Sequence, residues 1–96
     1  MYARLGRFSF GPGKHVEAQS LARELIPAIR AQKGCSSATF FGDDTDGSYG
    51  LFILWASQEE ADAAAAVIGP RLQAGLAGNV QGPPDIRLFE VIEPAG

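Results

Sequence analysis

Tyr49 to Ala56 reads Tyr-Gly-Leu-Phe-Ile-Leu-Trp-Ala, eight residues without a charge and with large apolar side chains at both parities. Alternate side chains of a strand point to opposite faces, so Leu51, Ile53 and Trp55 share one side while Phe52, Leu54 and Ala56 take the other. A strand apolar on both faces needs cover on both. Tyr2 to Phe10 alternates in the same way, with Tyr2, Phe8 and Phe10 on one face and Ala3, Leu5 and Ser9 on the other. Arg4 and Arg7 therefore fall on opposite faces of this first strand. Gly11-Pro12-Gly13 ends it, and the period changes. Ala18, Leu21, Ala22, Leu25, Ala28 and Ile29 form a helical stripe, with Arg23, Glu24 and Arg30 mostly off it. Pro27 lies inside that helix, where a lost backbone bond and a crowded turn cost roughly 3 kcal/mol unless the helix bends. Gly34 is the expected C-terminal stop, and a second strand runs from about Cys35 to Gly42.

Asp43-Asp44-Thr45-Asp46-Gly47-Ser48 reads as the hairpin into the apolar strand, since acidic residues and glycine favour tight turns. A calcium loop is the alternative. Numbered from Gly47, it would require oxygen ligands at Gly42 and Ile53, whose side chains have none. After the apolar strand, Ser57 and Glu60 have the spacing of a capping box that starts a second helix, with Ala61, Ala64, Ala65 and Ile68 as a narrow apolar face. Gly69-Pro70 is expected to break that helix and open a short turn through Leu72 and Leu76. Gly78 to Pro84 is a loop. Ile86 to Ile92 is the last strand, with Ile86, Leu88 and Ile92 on one face and Phe89 and Val91 on the other.

The order βαββαβ folds most simply as an α+β, ferredoxin-like layer of two helices on an antiparallel sheet, one domain over residues 1–96. Two helices cover one face only. An apolar sheet face left in water is an association site, so a homodimer, closing the sheets into a dimeric α/β barrel, is the expected arrangement. Ninety-six residues can bury a core without staples, and 46% hydrophobic and 20% charged residues are an ordinary globular balance. The net charge of -3 is mild, and the eight Lys and Arg are scattered, so nucleic acid and membrane are excluded as main partners. Cys35 is the single cysteine, more a core residue than a nucleophile, and suits a reducing compartment. No signal-like run opens the sequence and no window approaches a membrane span, so a soluble, cytoplasmic protein is expected.

Several stretches carry a resemblance. They are Lys33-Gly34-Cys35 opening the second strand, Ser37-Ala38-Thr39 within it, Thr45-Asp46-Gly47 at the hairpin, Trp55-Ala56-Ser57-Gln58-Glu59 entering the second helix, and Gly82-Pro83-Pro84 before the last strand. In this order the sequence resembles the antibiotic biosynthesis monooxygenase family of dimeric α/β barrels, in particular its small quinone-forming members. The resemblance implies oxygenation without metal, flavin or haem. An electron-rich phenolic substrate loses a proton, its anion gives an electron to dioxygen, and the protein supplies a dry pocket with hydrogen-bond donors. It also implies that Trp55 stands at the pocket tryptophan of those enzymes. Their asparagine four residues earlier and tyrosine six residues later are replaced here by Leu51 and Ala61, and their further arginine falls near Leu76. The haem-degrading relatives carry a tryptophan and a histidine in the second helix, and Asp62 to Ala77 contains neither.

The candidate site residues follow. Trp55 is the proposed hydrogen-bond donor, in a cleft lined by Leu51, Leu25 and Ile29. His15, at the start of the first helix, is a candidate general base or a solvated residue, and the helix dipole there disfavours its charged form. Arg7 is the candidate to steady an anionic substrate. No cofactor or metal is expected, and the ligand is a small hydrophobic or aromatic molecule. The rival reading is a non-catalytic barrel that binds such a molecule or serves as an assembly module.

Overall fold

The alternating apolar positions become four antiparallel strands in the order β2-β3-β1-β4. The computed structural model describes residues 1–94. The elements are β1 (Tyr2–Ser9), α1 (His15–Arg30), β2 (Cys35–Asp43), β3 (Ser48–Trp55), α2 (Gln58–Leu76) and β4 (Asp85–Glu90). This is the ferredoxin-like βαββαβ order expected from the sequence, with the uncharged stretch as the inner strand β3 between β2 and β1.

Register fixes the faces. Phe8 lies opposite Tyr49, Gly6 opposite Leu51, Arg4 opposite Ile53 and Tyr2 opposite Trp55, so these residues share the side covered by the helices. Leu25 and Ile29 of α1 and Leu72 and Leu76 of α2 close over that side, and Leu25 and Ile29 are completely buried. No helix among the described residues covers the opposite side of the sheet. There Phe41, Phe52 and Phe89 stand 44%, 38% and 40% exposed beside the half-buried Leu5 and Leu54.

The helix ends follow local chemistry, with some departures from expectation. The Ser57 hydroxyl accepts from the Glu60 amide at 3.2 Å and donates to the Glu60 carboxylate at 3.1 Å, so the capping pair forms. Gly69-Pro70 does not break α2. Pro70 removes one backbone bond, but Ile68, Leu72 and Leu76 on either side of it are buried on one face, and that anchorage carries the helix through. The helix α1 stops at Arg30, before Gly34, which turns the chain into β2 at φ +86°. β4 ends at Glu90, short of the expected Ile92, which is exposed.

The hairpin is a self-bonded turn. The Asp43 carboxylate accepts from the Thr45 amide and the Asp46 carboxylate from the Ser48 amide, each at 2.9 Å. Gly47 closes it at φ +77°, with its carbonyl accepting from the Phe10 amide at 2.8 Å and a Cβ at this position overlapping the backbone of Gly11. No helix among the described residues is long and apolar enough to cross a membrane.

Candidate functional site

Small residues on two facing elements leave a gap between α2 and the sheet. Ala61, Ala64, Ala65 and Gly69 present almost no side chain from the helix, and Gly6 presents none from β1. The gap is a cleft of about 210 Å³, walled by Leu51, Ile53 and Trp55 of β3 and by Ile68 and Leu72 of α2, with Ile86 at its rim. Its surface is almost wholly apolar, and Arg4 is the one ionisable side chain lining it.

Trp55 is 2% exposed, and its indole Nε1–H is buried without an acceptor among the described residues. Leaving such a donor unpaired costs about 1–3 kcal/mol, which makes it a place where a ligand oxygen would be welcome. Arg4 approaches from β1, diagonal to Trp55 on the same face. One guanidinium nitrogen, Nη2, donates to the carbonyl of Ala61 at 3.4 Å and to Asp62 Oδ1 at 3.3 Å. Asp62 is the exposed member of that pair.

The expected site residues divide. Trp55 and Leu51 line the cleft together, and so does Ala61, the position where the resembled enzymes carry tyrosine. Leu76, where their arginine was expected, is core. Leu25 and Ile29 do not line the cleft either, because α1 covers the other half of the sheet and spends them on the core. Arg7 is a correction of face. It is exposed on the bare side of the sheet, and Arg4 occupies the position expected of it. The signal was in the alternation, since Arg4 shares its parity with Phe8 and Phe10, the aromatic residues that the helices cover.

His15 is also elsewhere. Its Nδ1 lies 2.7 Å from Asp44 Oδ2, and the Tyr49 hydroxyl donates to Asp44 Oδ1 at 2.5 Å, so the three tie the start of α1 to the hairpin away from Trp55. The Tyr49 hydroxyl, bonded to the Asp44 carboxylate, is pushed up to about 12, and that hydroxyl in turn holds the Asp44 carboxyl below the usual carboxylate range, with His15 assisting. Tyr49 packs its ring against Phe8, Phe10 and Phe40. Cys35 is half-buried against the core, and burial raises its thiol despite nearby Arg30, the opposite of an activated nucleophile. Among the described residues no group of His, Cys, Asp or Glu is arranged to hold a metal ion.

Solved structures of the same architecture overlie nearly the whole chain. A structure described as an antibiotic biosynthesis monooxygenase matches with a TM-score of 0.80 at 17% identity, covering 96% of this chain and 99% of that one. The chain has the fold of the antibiotic biosynthesis monooxygenases. SnoaB, a cofactor-independent oxygenase from Streptomyces nogalater, matches with a TM-score of 0.75 at 20% identity over 94% of this chain and 91% of its own. NE2512 from Nitrosomonas europaea, a protein of unknown function, matches with a TM-score of 0.82 at 22% identity over 99% of this chain and 95% of its own. No protein-family model matches the sequence. No curated protein matches it either. At these identities the likeness to the monooxygenases is one of fold.

Proposed function

We propose that this protein is a cofactor-independent monooxygenase that acts on a small aromatic molecule held in the cleft beside Trp55. The observation that carries the reading is Trp55, which lines an otherwise apolar cleft and whose buried indole N–H has no partner among the described residues. A buried donor without a partner stabilises an oxygen that gains negative charge as an electron leaves the substrate, and the surrounding Leu51, Ile53, Ile68 and Leu72 keep water from competing. SnoaB, which shares the fold, is a cofactor-independent oxygenase, and this supports the same chemistry here. In the balanced reaction, a ring CH₂ becomes a carbonyl with one oxygen atom of O₂, and the other oxygen leaves as water with the two hydrogens. Arg4, the one ionisable group on the cleft wall, is no base. The substrate therefore releases its proton to solvent, and ionised substrates react best.

The bare side of the sheet supports a homodimer as the working unit. Phe41, Phe52 and Phe89 are too apolar a surface to remain in water, and a second copy of the chain covers it. Phe52→Glu places a charge at the centre of that surface and is expected to halve the mass measured by analytical ultracentrifugation. A wild-type protein that sediments as a monomer would refute the pairing. The lone cysteine and mild charge support a cytoplasmic site of action.

The test of the activity is oxygen uptake with phenols and anthrones of one to three rings, comparing the parent protein with Trp55→Phe. Turnover that falls in the variant supports the oxygenase. A second reading, a non-catalytic binding module, is favoured by Leu51 and Ala61, which add apolar surface to the cleft and no donor. Binding without turnover above buffer across the panel would select it.

A further inference from the structure

We propose that Arg4 is the anion-binding residue of the cleft, and that it selects a one- or two-ring aromatic molecule carrying a single oxyanion, a carboxylate or an ionised phenol. The proposal rests on the reading of the cleft as a binding site and adds its chemical selectivity. Three observations converge on it.

The first is the state of the guanidinium. Arginine has five N–H donors in a planar fork. Only Nη2 is engaged here, through contacts of 3.4 Å to the Ala61 carbonyl and 3.3 Å to Asp62. Nε and Nη1 have no partner among the described residues. Asp62 is a weak competitor, since its side chain is 60% exposed while that of Arg4 is 20% exposed. A ligand anion inside the cleft meets Arg4 from the drier side, where a charge-assisted bond is stronger.

The second is the position of a neighbouring donor. Trp55 and Arg4 are diagonal neighbours on adjacent strands, and Ala61, which Arg4 touches, also lines the cleft. Trp55, whose buried indole N–H is unpaired, and Arg4, with its free guanidinium donors, thus line the same end of the cleft, and an oxyanion that reaches both takes a bond from each. The other end, around Leu51, Ile68, Gly69 and Leu72, offers only apolar surface for the ring.

The third is volume. A cavity of about 150 Å³ holds a single benzene ring. The cleft of about 210 Å³ has room for one further fused ring, and a third ring would have to pass the rim at Ile86 into solvent.

The experiment uses isothermal titration of the full chain with 2-naphthoate, its neutral isostere 2-naphthamide, and the three-ring 2-anthroate. The parent protein is expected to bind 2-naphthoate at least about tenfold more tightly than 2-naphthamide. Arg4→Gln is expected to bring that ratio to about one and leave 2-naphthamide unchanged, while Arg7→Gln, on the bare face, keeps the ratio. Should Arg4→Gln fail to fold, the naphthoate-to-naphthamide ratio of the parent protein decides the matter. Equal affinity for naphthoate and naphthamide would overturn the role of Arg4 and leave the apolar cleft standing as a site. Binding of 2-anthroate as tight as 2-naphthoate would overturn the size limit. If neither two-ring compound binds, the cleft reading fails with the proposal.

Discussion

Trp55→Phe separates a residue kept for a ligand from one kept for packing. The indole is 2% exposed, and its Nε1–H has no protein acceptor, so the parent fold carries the cost of an unsatisfied donor, about 1–3 kcal/mol. Phenylalanine removes that donor. It also removes about 40 Å³ of side chain, which at ~24 cal/mol per Å³ costs about 1 kcal/mol as a void. The lost apolar burial adds about 1 kcal/mol more. The void opens onto an existing cleft, which softens the packing loss. The two effects nearly cancel, and the expected change in stability is within about 1 kcal/mol, or a Tm shift under about 8 °C for a chain of this size. Ligand binding, in contrast, loses one buried hydrogen bond and is expected to weaken about tenfold. Urea unfolding must be followed by far-UV circular dichroism, because the chain has one tryptophan and the variant none. A loss of more than about 3 kcal/mol, with ligand binding unchanged, would show that the indole is structural and that its N–H is satisfied in solution.

Further expectations follow from the same geometry. Ala64 is buried on the cleft wall, so Ala64→Phe projects a ring into existing space; stability is expected to hold within about 1 kcal/mol while binding of any aromatic ligand is lost, as calorimetry would show. Tyr49 is protonated more tightly in the folded chain than the ordinary tyrosine near 10, up to about 12, so it stabilises the fold below pH 10 and that contribution disappears as pH rises toward 12. Urea titrations across that range should show the slope, and Tyr49→Phe should flatten it. Gly47→Ala combines a left-handed backbone, about 1–2 kcal/mol, with overlap on the Gly11 backbone. Its thermal midpoint should fall by at least about 8 °C, and a neutral result would mean that the hairpin does not sit against the β1–α1 turn as described.

The departures from the sequence-based expectation have a common form. Pro70 obeys a local rule against helix interiors, yet α2 runs through it because Ile68, Leu72 and Leu76 are buried on one side of the helix. Leu25 and Ile29 read as buried from their spacing, but periodicity identifies a buried face without saying which neighbour buries it, and the core rather than the cleft takes them. Alternation puts Arg7 and Arg4 on opposite faces, and the parity of Phe8 and Phe10 marks Arg4 as the one under the helices. Rarity and residue type make His15 a candidate in the sequence, and neither carries position. Its bond to Asp44, distant in sequence, carried no signal in the pattern.

Local sequence determined the element order and the faces of β1 and β3 through periodicity, the hairpin through its turn residues and the cap through the Ser57–Glu60 spacing, because each depends on neighbours a few residues apart. The tertiary structure decided what those faces enclose. A cleft of about 210 Å³ exists only because Gly6 on one strand lies under Ala61, Ala64 and Gly69 on a helix more than fifty residues away in the chain. Whether a tryptophan N–H finds an acceptor, and whether an arginine spends its donors on protein or keeps them free, depends on three-dimensional neighbours that no local pattern records.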